Sequence, residues 1–234
     1  MNVRLEHVSV HYGQVHALND VTLSLPEGSR VTLLGRAGAG KTTLLKVLAG
    51  LILPTEGKTL WDRDHVAWLP VEVRRVLQAQ VGLVFQTDAL FDSMNVLDNV
   101  LLPLRKRKVP KQEAMERALQ ALEQVKLQDA AKKRPEELSG GMRKRAGIAR
   151  AIVARPALLL ADDPLAGLDP ATALHIAELL NRVSEGKTLV VSLPEPVQGM
   201  ETGRWWFLEK GRLLHDGPPR PELLDMEETW MLPA

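Results

Sequence analysis

The sequence contains no cysteine, which rules out a disulfide framework and any thiolate metal site. No run approaches the ~18 consecutive apolar residues of a membrane-spanning helix. Any link to a membrane is therefore expected to pass through a partner. The first residues, Met1 to Val10, alternate in polarity and lack the apolar centre of a secretion signal. Neither sign of charge dominates: 30 basic against 29 acidic residues give a formal net charge of +1. That balance gives no electrostatic reason to expect nucleic acid as a partner. The six histidines, at positions 7, 11, 16, 65, 175 and 215, lack the helical pairing of a zinc site. No internal repeat or low-complexity segment occurs. What remains is a balanced globular composition, 45% hydrophobic and 25% charged over 234 residues. This length suits one domain with a substantial core.

The hydrophobic pattern divides the chain. Val3, Leu5, Val8 and Val10 suggest a first strand, and Val21, Leu23 and Leu25 alternate as a second, closed by a Pro26-Glu27-Gly28 turn. Val31 to Leu34 is a short apolar run of the buried-strand type. A glycine-rich loop and a helix from Lys41 to Ala49 follow, stopped at Gly50. Val81–Phe85, Ala157–Ala161 and Thr188–Ser192 are further buried-strand candidates, and Trp205–Leu208 with Arg212–His215 reads as a closing hairpin. Between residues 88 and 155 the pattern turns helical, with Ala114, Leu119, Leu122 and Val125 near helical spacing and Pro110 at a helix start. Strands alternating with helices predict a mainly parallel α/β sheet into which a helical lobe is inserted.

Gly35-Arg36-Ala37-Gly38-Ala39-Gly40-Lys41-Thr42 matches G-x-x-x-x-G-K-[ST] in its confirming context, a buried strand before and a helix after. The glycines let the backbone curl so that N–H groups converge on phosphates. Lys41 adds a cation, the Thr42 hydroxyl is a ligand for Mg²⁺, and the helix presents its positive end. Leu158 to Asp163 adds an apolar strand ending in two carboxylates, at the strand end where parallel sheets bind ligands. Asp162 there is placed to reach Mg²⁺ directly or through water. ATP and Mg²⁺ are the expected ligands, with no other metal.

Leu138-Ser139-Gly140-Gly141-Met142, opening a helix, resembles the signature motif of the ABC ATPases. Other stations follow that family's order. Tyr12, the sole tyrosine, resembles the residue that stacks on adenine; Gln86 resembles the Q-loop glutamine; Gly167-Leu168-Asp169-Pro170 resembles the D-loop. The resemblance implies an ABC nucleotide-binding domain over residues 1–234, with a P-loop (RecA-like) α/β core. An antiparallel β lobe would lie near the N-terminus, a helical lobe at about 88–155, and an accessory C-terminal segment at about 216–234. It further implies that Tyr12, residues Gly35, Ala37, Gly38, Ala39, Gly40, Lys41, Thr42 and Thr43, and Asp162 hold nucleotide, while Ser139, Gly140 and Gly141 act on the nucleotide of a facing subunit. Thr42, Gln86 and Asp162 would arrange Mg²⁺, and Asp163, Lys41 and Gln86 would serve hydrolysis. The implied partners are a membrane permease and a second ATP-binding subunit, identical or different, with the chain peripheral on the cytoplasmic face of the cell membrane.

The segment Gly82 to Phe91, with Met94-Asn95-Val96, Asp98-Asn99-Val100, Pro103-Leu104 and Met142, resembles more narrowly the ATPase of MCE-type (Mla-like) phospholipid transporters. That resemblance implies lipid transport with an MCE substrate-binding protein; an ATPase for a non-lipid substrate is the alternative. Two positions depart from the wider family. Asp163 stands where a glutamate is usual, one methylene shorter, and Leu193 stands where a histidine is usual. A displacement of about 1 Å at a reacting group can cost ~10²-fold in rate. Normal ATP binding with slow hydrolysis is the expectation. A hydrolysis-deficient partner in a heterodimer is the other reading. The basic run Arg105 to Lys108 fits either a solvated face or a contact with anionic headgroups or an acidic permease loop.

Overall fold

The computed structural model describes residues 1–200 and 202–224. Of the expected accessory C-terminal segment at about 216–234, residues 216–224 are described and residues 225–234 lie outside. An antiparallel lobe comes first: β1 (Val3–Tyr12) and β2 (Val15–Leu25) form a hairpin, and the order β2-β1-β4-β5 is completed after an excursion into the core. β3 (Arg30–Leu34) enters the main sheet and leads through the glycine loop into α1 (Lys41–Leu48). β4 (Glu56–Trp61) and the two-residue β5 (Asp64–His65) then return to the lobe, followed by α2 (Val71–Gln78). β6 (Val81–Val84) is an edge of the main sheet. α3 (Val96–Lys106), α4 (Lys111–Gln124) and α5 (Gly140–Ile152) make up the helical insertion. The chain then alternates through β7 (Leu158–Asp162), α6 (Pro170–Val183) and β8 (Thr188–Leu193), and ends in β9 (Arg204–Glu209) and β10 (Arg212–Gly217).

The main sheet has the order β10-β9-β3-β8-β7-β6, parallel except for β10. Its strands alternate sides, as a period of two requires. Leu158, Leu160 and Val190 join a cluster with α1 and the β lobe, whereas Leu159, Ala161, Leu189 and Val191 face a cluster with α3–α6. Both faces are covered, which explains why the parallel strands read as continuous apolar runs.

The segment from Phe91 to Asn95 is held by one buried side chain. The Asn99 carboxamide accepts from Phe91 N at 2.8 Å and donates to the carbonyls of Phe91, Met94 and Asn95 at 3.0–3.2 Å. Asn95 in turn caps α3, accepting from Asp98 N at 2.7 Å. In the basic run, Arg105 pairs with Asp98 at 2.6 Å and Arg107 donates to Ala154 O at 3.1 Å, while Lys106 and Lys108 are exposed. α2 was not expected from the pattern: no residue of it is buried, and Val71, Val73 and Val76 face solvent.

Candidate nucleotide site

The phosphate loop is wedged between two neighbours that tolerate no side chain. Gly40 has φ +105°, and a Cβ there would sit 2.3 Å from the Ala17 carbonyl oxygen. At Gly35, φ +152°, it would sit 2.2 Å from the Leu208 carbonyl oxygen. These glycines fix the loop against β2 and β9. Gly38, φ +81°, has open space around it, so the crest of the loop is free for a ligand. Thr42 is exposed in the first turn of α1. The Lys41 ammonium folds back onto the Gly35 carbonyl and, at 3.0 Å, the Arg36 carbonyl. Burial lowers its pKa, and the charges of Asp163 and Asp162 oppose that shift.

Adjacent strands bring the carboxylates to this loop. Asp162 ends β7 and is 8% exposed. The Ser192 hydroxyl on β8 donates to Asp162 Oδ1 at 2.8 Å and accepts from Asp163 N at 2.9 Å. One serine thus orients both acids, a role its place at a strand end did not signal. Asp163 adopts φ +42°. Burial raises its carboxyl pKa and Asp162 adds to the rise, against the opposing charges of Lys41 and Lys144. Gln86 follows β6, and its Nε2 lies 3.4 Å from Asp163 Oδ2. Lys41, Gln86, Asp162, Asp163 and Ser192 therefore converge at the ends of β3, β6, β7 and β8. Oxygen donors dominate this set, and the carboxylate of Asp162 with the side-chain oxygens beside it suits a hard cation such as Mg²⁺.

Tyr12 ends β1 with 51% of its surface exposed, paired across the hairpin with Val15. Leu193 is wholly buried and belongs to the cluster beneath the helical lobe. It turns carbon, with no hydrogen-bonding atom, to its surroundings.

The Leu138–Met142 segment lies apart from this convergence. Ser139 caps α5, accepting from Met142 N at 3.3 Å. Gly141 lets α5 approach α6, since a Cβ would sit 2.8 Å from Thr172 Cγ2. A cleft of about 580 Å³ opens there, lined among others by Ser139, Gly140, Gly141, Gly167 and Asp169 and by no residue of the phosphate loop. A second groove, of about 760 Å³, is lined by Phe85, Ala89, Phe91 and Pro103 beside Arg75, Lys106 and Arg150.

A strand–glycine loop–helix with a lysine against paired strand-end acids defines a P-loop nucleotide-binding protein. Residues 18–166 match the sequence profile of the ABC transporter family, and the chain belongs to it. It is 43% identical to "Methionine import ATP-binding protein MetN" of Corynebacterium jeikeium over 85% of this chain and 56% of that protein. It is 33% identical to "Glutamine transport ATP-binding protein GlnQ" of Geobacillus stearothermophilus over 93% of this chain and 90% of that protein. Against the MetN proteins the chain spans only 54–61% of their length. The fold superposes with a TM-score of 0.84 and 31% identity on the dimeric ATP-binding cassette MJ0796 in a post-hydrolysis state with ADP and Pi, covering 93% of this chain and 99% of that one.

These relatives overturn the MCE-type lipid-transporter resemblance, because they are named for methionine import and glutamine transport. The residues that carried it explain the error. Ala89 and Phe91 are groove-lining apolar residues, and Met142 packs on the helical-lobe core. Such packing needs say nothing about cargo.

Proposed function

We propose that the chain is the ATP-binding subunit of an importer for an amino acid or similar small polar solute, and that its own phosphate-loop site hydrolyses ATP slowly. The observation that carries this is a phosphate loop beside Asp163 and the buried Leu193, in a chain 43% identical to a methionine import ATP-binding protein. Tyr12 stacks on adenine. Amides of residues 37–43 and the Lys41 ammonium take the phosphates; on binding, Lys41 exchanges two carbonyls for phosphate oxygens. Thr42, Gln86 and Asp162 hold Mg²⁺, which screens phosphate charge when bound. Asp163 orients the water from a carboxyl one methylene short of the usual reach, and Leu193 contributes no proton donor.

Separation of the signature cleft from the phosphate loop supports head-to-tail pairing, in which Ser139, Gly140 and Gly141 face the nucleotide of a second ATP-binding subunit. The basic-rimmed apolar groove receives a permease segment. No helix among the described residues is long and apolar enough to cross a membrane, so the permease would hold the chain peripherally at the cytoplasmic face. A second reading is favoured by the same two departures: a heterodimer in which this chain binds ATP and lends an intact signature to a competent partner. The cargo test is uptake of labelled methionine and glutamine by proteoliposomes holding the complex purified through this chain. ATP-dependent accumulation of either supports the proposal; accumulation of neither, with a lipid or other apolar solute transported instead, refutes it.

A further inference from the structure

Lys144 is 6% exposed, although it sits in an Arg-Lys-Arg run that reads as solvated charge. Its ammonium donates to the Gln86 carbonyl and lies 3.4 Å from Asp88 Oδ1. Six residues along the same helix, Arg150 donates to the carbonyls of Asp88 at 2.9 Å and Ala89 at 2.6 Å. Gly147 lies between them, where a Cβ would approach the Asp88 carbonyl oxygen to 3.4 Å. The chain after β6 is thus clasped along one face of α5. Packing alone would be served by methionine or leucine. A buried ammonium is costly unless paired, and the partners here are the backbone of Gln86 and the next acid along.

Lys144 lies five residues from the Ser139 cap, about 7.5 Å along the helix at 1.5 Å per residue. We propose that Lys144 is a positioning residue that pins the Gln86 backbone to the signature-bearing helix, so that the Gln86 side chain is presented to nucleotide-bound Mg²⁺ and moves together with Ser139. The proposal rests on the nucleotide-binding reading. Its consequence is that the signature of one site and the glutamine of the other shift as one body.

The test is Mg²⁺-dependent binding of a fluorescent ATP analogue to the full chain, in the wild type, Lys144→Met, Gln86→Ala and the double variant. Lys144→Met removes the cation beside Asp88 Oδ1 and leaves Arg143, 3.8 Å from Asp88 Oδ2, as the remaining ion-pair partner of that carboxylate. Affinity in EDTA should stay within about twofold between the wild type and Lys144→Met. The Mg²⁺ concentration for half-saturation should rise about tenfold in Lys144→Met, as when a group supporting a metal ligand is lost. The double variant should be no worse than Gln86→Ala, because both changes break one chain of contacts. Additive losses, or an equal loss in EDTA, would overturn the proposal by showing a packing role alone. If Lys144→Met is not recovered folded, Lys144→Gln takes its place in the cycle with the same two outcomes. The Lys41→Ala control is read first. A wild type that binds no better than it would overturn the nucleotide reading itself, and this inference with it.

Discussion

Introducing the family's histidine at position 193 should unsettle the fold before it helps the chemistry. Leu193 is 0% exposed and packs in the cluster that contains Leu34 and Val191. Burial of a leucine side chain is worth about 1.5–3 kcal/mol. An imidazole in the same place keeps part of that contact but buries a polar nitrogen, at about 1–3 kcal/mol if unpaired. The net cost of Leu193→His is about 2–4 kcal/mol. For a chain of this size each kcal/mol moves Tm by about 2–4 °C, so Tm should fall by roughly 5–15 °C. Thermal unfolding by circular dichroism, with and without saturating Mg-ATP, reads both parts of the argument. If the ring swings to the phosphate when nucleotide binds, Mg-ATP should stabilise the variant more than the wild type, since a ligand stabilises through its affinity for the native state. A nucleotide-free Tm within about 1 °C of wild type would refute the reasoning, because the side chain would then leave the core at no cost.

Other consequences follow from single contacts. Asn99→Leu deletes the carboxamide that holds Phe91 to Asn95; denaturant unfolding should register about 2–4 kcal/mol of lost stability. Gly40→Ala meets the Ala17 carbonyl oxygen at 2.3 Å and a φ of +105°, so titration calorimetry should find ATP affinity reduced about tenfold or more. Asp163→Asn should raise Tm at neutral pH. Burial has lifted the native carboxyl pKa, so ionised Asp163 costs stability above that pKa, and the cost vanishes as pH falls through it. The advantage of the variant should therefore shrink from about pH 7.5 towards pH 4; a constant or growing advantage would contradict the assignment.

The phosphate loop was legible because its chemistry depends on spacing: glycines that curl a backbone, a lysine, a hydroxyl and a following helix. β7 was legible because a strand buried on both faces reads as Leu158-Leu159-Leu160-Ala161. α2 was not. Its valines are β-branched and weak helix formers, it is only eight residues long, and no residue of it is buried in the core, so short length and weak propensity hide it. Nor could sequence distinguish Lys144 from its neighbours Arg143 and Arg145, since only the approach of the Gln86 loop to α5 makes one of three adjacent cations interior. Ser192 gains its role from strand order, which sets β8 beside β7 and pairs it with Asp162. The cargo was misread because groove-lining residues answer to packing.

Strong ATP binding with slow turnover is the behaviour proposed for this chain. Steady-state Mg-ATP hydrolysis by the chain with its permease tests it directly, with Lys41→Ala as the blank and the Asp163→Glu/Leu193→His double variant as comparison. Slow turnover requires a wild type near the blank and a double variant well above it when the latter is assayed below its lowered Tm. Turnover by the wild type as fast as by the double variant, both above the blank, would contradict it and would show that Asp163 and Leu193 are tolerated.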